Sequence, residues 1–187
     1  MNTTTRWWWV RHAPVRVNDG RIYGQTDHPC DCTDEPLFRA LATQLPTDAV
    51  WVTSTLLRTI QTADALRAAG AVGPEPTRET AFGEQSFGDW QGLTWPEVEA
   101  RDPVGAAARE ADKWRFTPPG GESYATLAGR IGRWAAGLER DTVAVAHGGV
   151  ARALFALIGG VPEAKAPRME IWQGRVLVFS SGTYRWL

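Results

Sequence analysis

Three short apolar runs in this chain each end at a polar or charged side chain, and this repeated pattern constrains the fold more than any other feature. The runs cover residues 7–10, 49–53 and 142–146. Continuous apolar runs of this length are typical of strands that are buried on both faces of a parallel sheet. The residues that follow the runs would then lie together at the carboxyl edge of that sheet.

Helical periodicity fills most of the chain between and after these runs. Apolar residues recur at helical spacing, or a helix follows a strand directly, over residues 37–45, 55–69, 124–138 and 148–158. Further short strands are predicted in the tail, over residues 169–172, 175–179 and 184–187. Strands that alternate with helices in this way predict an α/β protein, a three-layer α/β/α sandwich with a mostly parallel central sheet.

Residues 86–123 fit this alternation poorly. They contain Trp90, Trp95 and Trp114, an alanine-rich stretch and the turn sequence TPPGGES. We expect a lid-like excursion over one end of the sheet, with one or two short helices, within a single domain of residues 1–187. The three tryptophans could belong to the core, where aromatic burial dominates packing, or could line the mouth of a cleft.

The bulk properties exclude several classes of partner. A formal net charge of −1 gives no overall attraction to nucleic acid or to an anionic membrane. No apolar run approaches the ~18 residues that a bilayer crossing needs, and the first residues lack the pattern of a secretory signal. We therefore expect a cytoplasmic protein, with an oligomeric state that the sequence leaves open.

His28, Cys30 and Cys32 form a His-x-Cys-x-Cys pattern that could suggest zinc. A structural zinc site needs a fourth ligand and normally draws its ligands in pairs from two segments. We therefore interpret these residues as part of a loop, and expect neither a metal nor a cofactor.

The residues that follow the three apolar runs are the candidates for chemistry. They are Arg11 and His12 after the first run, Ser54 and, one turn later, Arg58 after the second, and His147, Gly148 and Gly149 after the third. Ligands of open α/β sheets bind beyond the carboxyl ends of the strands. Two guanidinium groups and two imidazoles at that edge would suit a phosphate dianion, since an arginine can hold two of its oxygens at once. Each residue alone could be structural, but two of the three histidines occupy equivalent strand exits.

Four segments in this order resemble the histidine phosphatase superfamily, which has the phosphoglycerate-mutase-like fold. They are VRHAPV, TSTLLRTIQTADAL, FGEQSFGDWQG and VAHGGV, and the resemblance runs from residue 7 to about residue 160. The family signature has glycine after Arg-His, where this chain has Ala13. Within the family, the chain resembles the small phosphatases and, through PPGGES followed by a helix, the α-ribazole phosphatase branch.

The resemblance implies a role for each candidate. His12 would attack phosphorus and carry a phosphohistidine, while Arg11, Arg58 and His147 would surround the transferred group. Glu84 would protonate the leaving group and would have to keep its proton near neutrality, with Glu79 and Asp89 as competitors for that role. The implied supporting residues are Asn18, which would touch the phosphoryl group or the substrate, Ser54, which would orient the nucleophile, and Gly148.

The resemblance leaves three functions to compare. We favour a metal-independent phosphomonoesterase, because a mutase of this family carries a larger insertion over its cleft than residues 86–123 provide. A non-catalytic domain that binds a phosphorylated ligand is disfavoured, because the nucleophile and both arginines are present. The substrate stays open between α-ribazole phosphate, sugar phosphates and phosphoproteins.

Overall fold

The computed structural model describes residues 5–16, 19–137, 139–180 and 182–187. Its strands are β1 (Trp7–Arg11), β2 (Val50–Thr53), β3 (Thr77–Arg78), β4 (Thr142–Ala146), β5 (Val176–Ser180) and β6 (Thr183–Trp186). Its α-helices are α1 (Glu35–Ala42), α2 (Leu57–Ala68), α3 (Trp95–Arg101), α4 (Pro103–Ala111), α5 (Tyr124–Ala135) and α6 (Gly148–Leu157). Short 3₁₀ turns occur at Thr80–Phe82, Gly88–Trp90 and Ala166–Arg168.

The six strands form one sheet in the order β3-β2-β4-β1-β5-β6. The four strands from β3 to β1 run parallel to one another, and β5 and β6 extend the sheet in antiparallel pairs. The prediction of a mostly parallel sheet is therefore confirmed. Strand β4 lies between β2 and β1, so the three apolar runs identified in the sequence are neighbours.

The three consecutive tryptophans of β1 serve both faces of this sheet. Successive side chains of a strand point to opposite faces. Trp7 and Trp9 accordingly enter the core that contains the buried faces of α5 and α6, and Trp8 enters the core that contains those of α1 and α2. Helices thus cover both faces, which confirms the three-layer arrangement.

The tail differs from the sequence prediction in one element. Residues 169–172 do not form the predicted strand, although β5 and β6 form close to where they were expected. The carbonyl oxygens of Met169 and Ile171 accept hydrogen bonds from the side chains of Arg152 and Arg11 instead of from a strand. The segment therefore connects α6 to the sheet through arginines rather than through a backbone ladder.

Several helix ends also differ from the prediction, by one to three residues, and α1 covers Glu35–Ala42 in place of residues 37–45. Helix α2 begins at Leu57, two residues later than expected, which places Arg58 in its first turn. Helix α5 ends at Ala135, and Leu138, the predicted last residue, lies outside the described residues.

The excursion over residues 86–123 contains two short α-helices, α3 and α4, in agreement with the one or two that were predicted. Its two ends are tied together by the backbone, since Asp89 N–H donates to Pro119 O at 2.8 Å and Glu122 N–H donates to Ser86 O at 2.9 Å. Gly88, with a φ of 51°, allows this crossing, because a Cβ there would collide with the backbone of Pro119. The two ends of the excursion therefore lie side by side.

The tryptophans of the excursion have different environments. Trp90 is buried in a small separate core with Ile22 and Val98, and Trp114 is buried against the ring of Tyr124. Trp95 keeps 38% of its surface exposed. Among the described residues, none of the helices combines the length and apolar character that crossing a bilayer requires.

Candidate active site

The sheet order brings the ends of β1, β4 and β2 side by side. His147, which follows the central strand β4, lies between His12 after β1 and Arg58 at the start of α2. The ring centroids of His12 and His147 are 5.3 Å apart, and Arg58 Nε lies 3.3 Å from His147 Nδ1. All three side chains are buried. The structure therefore places both imidazoles and Arg58 in one site.

His12 is held so that one ring nitrogen remains available. Its Nδ1 lies 2.8 Å from the carbonyl oxygen of Ala13, a contact in which Nδ1–H donates and the lone pair is left on Nε2. Burial lowers the pKa of His12 to about 3, and the positive charges of Arg58 and Arg11 act in the same direction, while the Ala13 carbonyl opposes them. The ring is therefore neutral, and nucleophilic, at physiological pH.

Arg58 and His147 are fixed against each other. The two terminal nitrogens of Arg58 donate to the carbonyl oxygens of Gly24 and Thr26, at 2.7 and 2.8 Å, and its Nε donates to His147 Nδ1. The proton of His147 therefore sits on Nε2, which lies 2.8 Å from Ser54 Oγ. Burial lowers the pKa of His147 well below its ordinary value, with His12 and Arg58 adding to the effect.

Ser54 contacts a different histidine from the one that the resemblance implied. The resemblance implies that Ser54 orients the nucleophile His12, whereas in the structure its hydroxyl contacts His147 and Thr59. Sheet order gives the reason, because β2 is the neighbour of β4 and is separated from β1 by that strand.

Arg11 reaches the site from the end of β1. Its Nη1 donates to Ile171 O at 2.8 Å, and its Nε is buried without a hydrogen-bond partner among the described residues. A Cβ on Gly148 would lie 3.4 Å from Arg152 Nη1 and 3.8 Å from Arg11 Nε. Two guanidinium groups therefore meet over the first residue of α6.

Glu84 lies at the N-terminus of α6, the helix that begins directly after His147. Its Oε1 accepts hydrogen bonds from the N–H groups of Gly149, at 3.0 Å, and Gln85, at 2.9 Å. A Cβ at Gly149 would collide with this oxygen, so the carboxyl position depends on a glycine there. The two competitors lie elsewhere: Asp89 is exposed beside Gly120, and the backbone of Glu79 pairs with Thr53 at the end of β2.

A half-buried ion pair supports the segment that carries Glu84. Arg130 of α5 donates to the carbonyl oxygens of Gly83, at 2.6 Å, and Glu84, at 3.1 Å. It also pairs with Glu122 at 2.8 Å, and Glu122 accepts the N–H of Ser86 at 3.0 Å. Sequence reasoning missed Arg130, because nothing in the helical pattern distinguishes it from Arg133 one turn away.

Tyr23 is a second residue that sequence reasoning missed. Its ring lies 6.4 Å from that of His12, and the guanidinium of Arg58 lies over it at 5.0 Å. Asn18, the predicted amide contact, lies outside the described residues.

The cysteines of the His-x-Cys-x-Cys pattern face away from His28. Cys30 Sγ lies 3.2 Å from Arg58 O and 3.4 Å from Cys32 Sγ, whereas the ring of His28 packs edge-on against Tyr23. The Cys30 thiol therefore packs against the first turn of α2, and the Cys32 thiol packs against that of Cys30.

Comparison with known proteins agrees with this geometry. Residues 7–187 match the model of the histidine phosphatase superfamily (branch 1). The chain belongs to this superfamily. It is 36% identical over 170 residues to glucosyl-3-phosphoglycerate phosphatase of Mycolicibacterium vanbaalenii, an alignment that covers 82% of this chain and 73% of the relative.

Two further proteins are similar to this chain, one in sequence and one in structure. Fructose-2,6-bisphosphatase of Saccharomyces cerevisiae is 34% identical over 65% of this chain, which spans only 26% of that protein's length. The crystal structure of a putative α-ribazole-5'-P phosphatase from Escherichia coli shares the fold, with a TM-score of 0.80, 22% identity and coverage of 98% of this chain and 95% of that one. The superfamily and its phosphatase relatives place this chain among the hydrolases of phosphate monoesters.

Proposed function

We propose that the chain hydrolyses small organic phosphate monoesters through a phosphohistidine on His12. One observation carries the proposal. A buried, neutral imidazole with its lone pair on Nε2 lies beside a second imidazole and two guanidinium groups, with a carboxyl group at the adjoining helix N-terminus. Phosphoryl transfer needs mainly positioning and charge neutralisation, and these residues supply both.

The reaction would proceed in two steps. His12 Nε2 forms a bond to phosphorus as the bond from phosphorus to the ester oxygen breaks, and Glu84 gives its proton to the departing alkoxide. Water then attacks the phosphohistidine, the Glu84 carboxylate accepts a proton from that water, and His12 and inorganic phosphate are released. A proton donor of this kind contributes about 10²–10⁴-fold when the leaving group is a poor one.

The hydrogen bonds of the free protein suggest how the phosphoryl oxygens are held. Arg58 donates to two backbone carbonyls and to His147, so it supplies a fixed positive charge. Arg11 Nε is buried and has no partner among the described residues, which makes it the donor best placed to take an oxygen. We therefore assign the binding of the phosphoryl group mainly to Arg11, and a supporting role to Arg58 and His147.

The test is to trap the intermediate. Rapid quenching with a radiolabelled aryl phosphate should yield a phosphoprotein that is labile in acid and stable in base. His12→Ala should abolish the labelling and lower kcat on the order of 10⁴-fold or more, as loss of a nucleophile does elsewhere. Full turnover by His12→Ala would contradict the mechanism.

The same experiment separates the competing functions. A phosphoenzyme that turns over in water supports hydrolysis, whereas one that waits for a phosphorylated acceptor supports a mutase. Phosphate affinity without turnover of any ester would indicate a binding domain. Activity should persist in a chelator, because arginine and histidine supply the positive charge, and a loss that magnesium restores would contradict the proposal.

A further inference from the structure

The two cysteines of the chain lie in contact with each other in the loop that precedes α1. Cys30 Sγ and Cys32 Sγ are 3.4 Å apart, and both residues are half-buried. A disulfide has an S–S length of about 2.05 Å, so the two sulfurs need to come only about 1.4 Å closer to form one. The sequence contains no other cysteine. The two thiols are therefore placed for a disulfide within one chain.

The contacts of this pair favour ionisation of one thiol. Its hydrogen bond with Cys32 lowers the pKa of Cys30 to about 7, and the hydroxyl of Thr62 and the charge of Arg58 act in the same direction, while burial opposes them. Thr62 Oγ1 lies 3.5 Å from Cys30 Sγ. The thiolate is the form of cysteine that attacks an oxidant, so Cys30 is the thiol that reacts first.

A small oxidant can reach the pair from solvent. Cys32 lines a cavity of about 350 Å³ beside α1 and α2, together with Glu35, Arg39 and Ala68. The side chains of Glu35 and Arg39 are 77% and 60% exposed, so the cavity opens at the surface. The cavity has room for a small peroxide next to the thiols.

The segment that carries the thiols is tied to the residues that follow the nucleophile. Cys30 forms an isolated β-bridge with Val15, and Asp31 N–H donates to Pro14 O at 2.7 Å. In its thiol form, Cys30 also donates to Arg58 O at 3.2 Å. A disulfide would remove this donor and draw the sulfur away from the first turn of α2.

We propose that Cys30 and Cys32 form a reversible disulfide, and that this modification lowers the activity of the adjoining site. The disulfide itself does not depend on the proposed function, whereas its effect on activity rests on it. The oxidant is a hydroperoxide, such as hydrogen peroxide.

The modification would proceed in two steps. The Cys30 thiolate attacks one oxygen of the hydroperoxide, an S–O bond forms as the O–O bond breaks, and the other oxygen leaves and takes up a proton. Cys32 then loses its proton and attacks the sulfenic acid of Cys30, an S–S bond forms, and the oxygen leaves as water. Two thiols are oxidised and one peroxide is reduced to an alcohol, or to water, with the release of a second water.

The test of the disulfide uses the wild-type protein. The reduced protein is treated with hydrogen peroxide and alkylated with iodoacetamide in denaturant, and its intact mass is measured. The expected product is a single chain that has lost two hydrogen atoms and carries no alkyl group, and that accepts two alkyl groups after reduction with dithiothreitol. Two alkyl groups before reduction, oxygen atoms retained on cysteine or two chains joined together would overturn the disulfide.

Variants assign the order of the two steps. In Cys32→Ser, oxidation should stop at the sulfenic acid of Cys30, which dimedone should label. Cys30→Ser is the matched control, because the contact with residue 30 and burial raise the pKa of Cys32. It should take up about ten-fold less label, since reactivity follows the thiolate fraction. Equal labelling of the two variants would contradict Cys30 as the thiol that reacts first.

The effect on activity is measured with p-nitrophenyl phosphate. Oxidised wild-type protein should have a kcat/KM about ten-fold lower than the reduced form, because a displacement of about 1 Å near the chemistry can cost up to about 10²-fold. Dithiothreitol should restore it. A variant that carries both Cys30→Ser and Cys32→Ser should keep its kcat/KM through the same treatment. Equal loss in that variant, or equal kcat/KM for the two forms of the wild type, would overturn the coupling to the site.

The two parts of the proposal remain decidable if no ester is hydrolysed. The proposed function then fails, while the intact mass of the wild-type protein still decides the disulfide and needs no variant to fold. Calorimetric titration with inorganic phosphate then measures the coupling. The oxidised form should bind phosphate about ten-fold more weakly than the reduced form, by the same displacement, and equal affinities would overturn the coupling.

Discussion

At the scale of single residues, Glu84 shows how backbone groups prepare a side chain for chemistry. The N–H group of Gly149 donates to both carboxyl oxygens, at 3.0 and 3.3 Å, and that of Gln85 donates to Oε1 at 2.9 Å, so the carboxyl group is held in one position. Proton donation from this carboxyl group matters for alkyl leaving groups, which depart poorly as anions, and matters little for acidic phenols.

Glu84→Gln should therefore slow alkyl esters about 10²–10⁴-fold and slow p-nitrophenyl phosphate far less. The amide oxygen can still accept both backbone hydrogen bonds, so the position of the side chain is preserved. Steady-state kinetics on the two ester classes measures the difference, with Glu79→Gln as a control that should show none. Equal losses on both classes would assign the proton to another group.

The residues at the three strand exits could be predicted from the sequence, because strand ends have recognisable neighbours along the chain. Tyr23, Arg130 and Arg152 could not, because they reach the site from loops and helices whose positions depend on tertiary packing. Ser54 was placed in the site but assigned to the wrong histidine, because strand order is not written in any local pattern.

At the scale of elements, helix α6 links the second imidazole to the acid. Its first turn follows His147 directly, and the N–H of Gly149 meets Glu84 with no room for a side chain between them. The helix N-terminus also carries partial positive charge, which favours the binding of a phosphate group there.

Gly149→Ala should therefore displace the Glu84 carboxyl and lower kcat for alkyl esters about as much as Glu84→Gln does. Stability should not fall in parallel, because alanine is favoured over glycine within a helix by about 1 kcal/mol. Kinetics and thermal unfolding together measure the contrast. Gly132→Ala in α5 is the control, since among the described residues its Cβ would come within 4 Å of Leu157 alone, at 3.8 Å. Full activity in Gly149→Ala would contradict the role of the contact between Gly149 and Glu84.

The elements that the sequence predicted best are those with a single strong pattern. The strands of the sheet centre are continuous apolar runs, and α5 and α6 begin at the residues where their patterns begin. The strand predicted at residues 169–172 was wrong because two of its carbonyls bond to arginine side chains from distant segments. Strand β3 was missed because it has only two residues, both exposed.

At the scale of the whole molecule, the two buried histidines couple folding to pH. Their native pKa values lie below the unfolded value of about 6.5, at about 3 for His12 and well below the ordinary value for His147. At pH values between the native pKa of each histidine and its unfolded pKa of about 6.5, the unfolded chain binds protons that the native state does not. Stability contributed by the neutral rings is therefore complete above about pH 6.5 and falls as the pH is lowered toward the native pKa values.

Lowering the pH from 7 to 5 should therefore cost up to about 2 kcal/mol of unfolding free energy for each of the two histidines. Urea unfolding of the wild-type protein at the two pH values measures the total. His12→Asn should reduce the pH dependence by about the contribution of one histidine. An unchanged pH dependence in that variant would contradict a neutral, buried ring at position 12.

The alternating tryptophans of β1 link the register of this strand to catalytic activity. A shift of this strand by one residue would exchange the side chains offered to the two cores and would also rotate the nucleophile to the other face of the sheet. A misregistered molecule would lose packing and catalysis at once. Specific activity should therefore be proportional to the fraction of correctly folded molecules. A partly misfolded preparation should contain inactive protein mixed with enzyme of normal turnover.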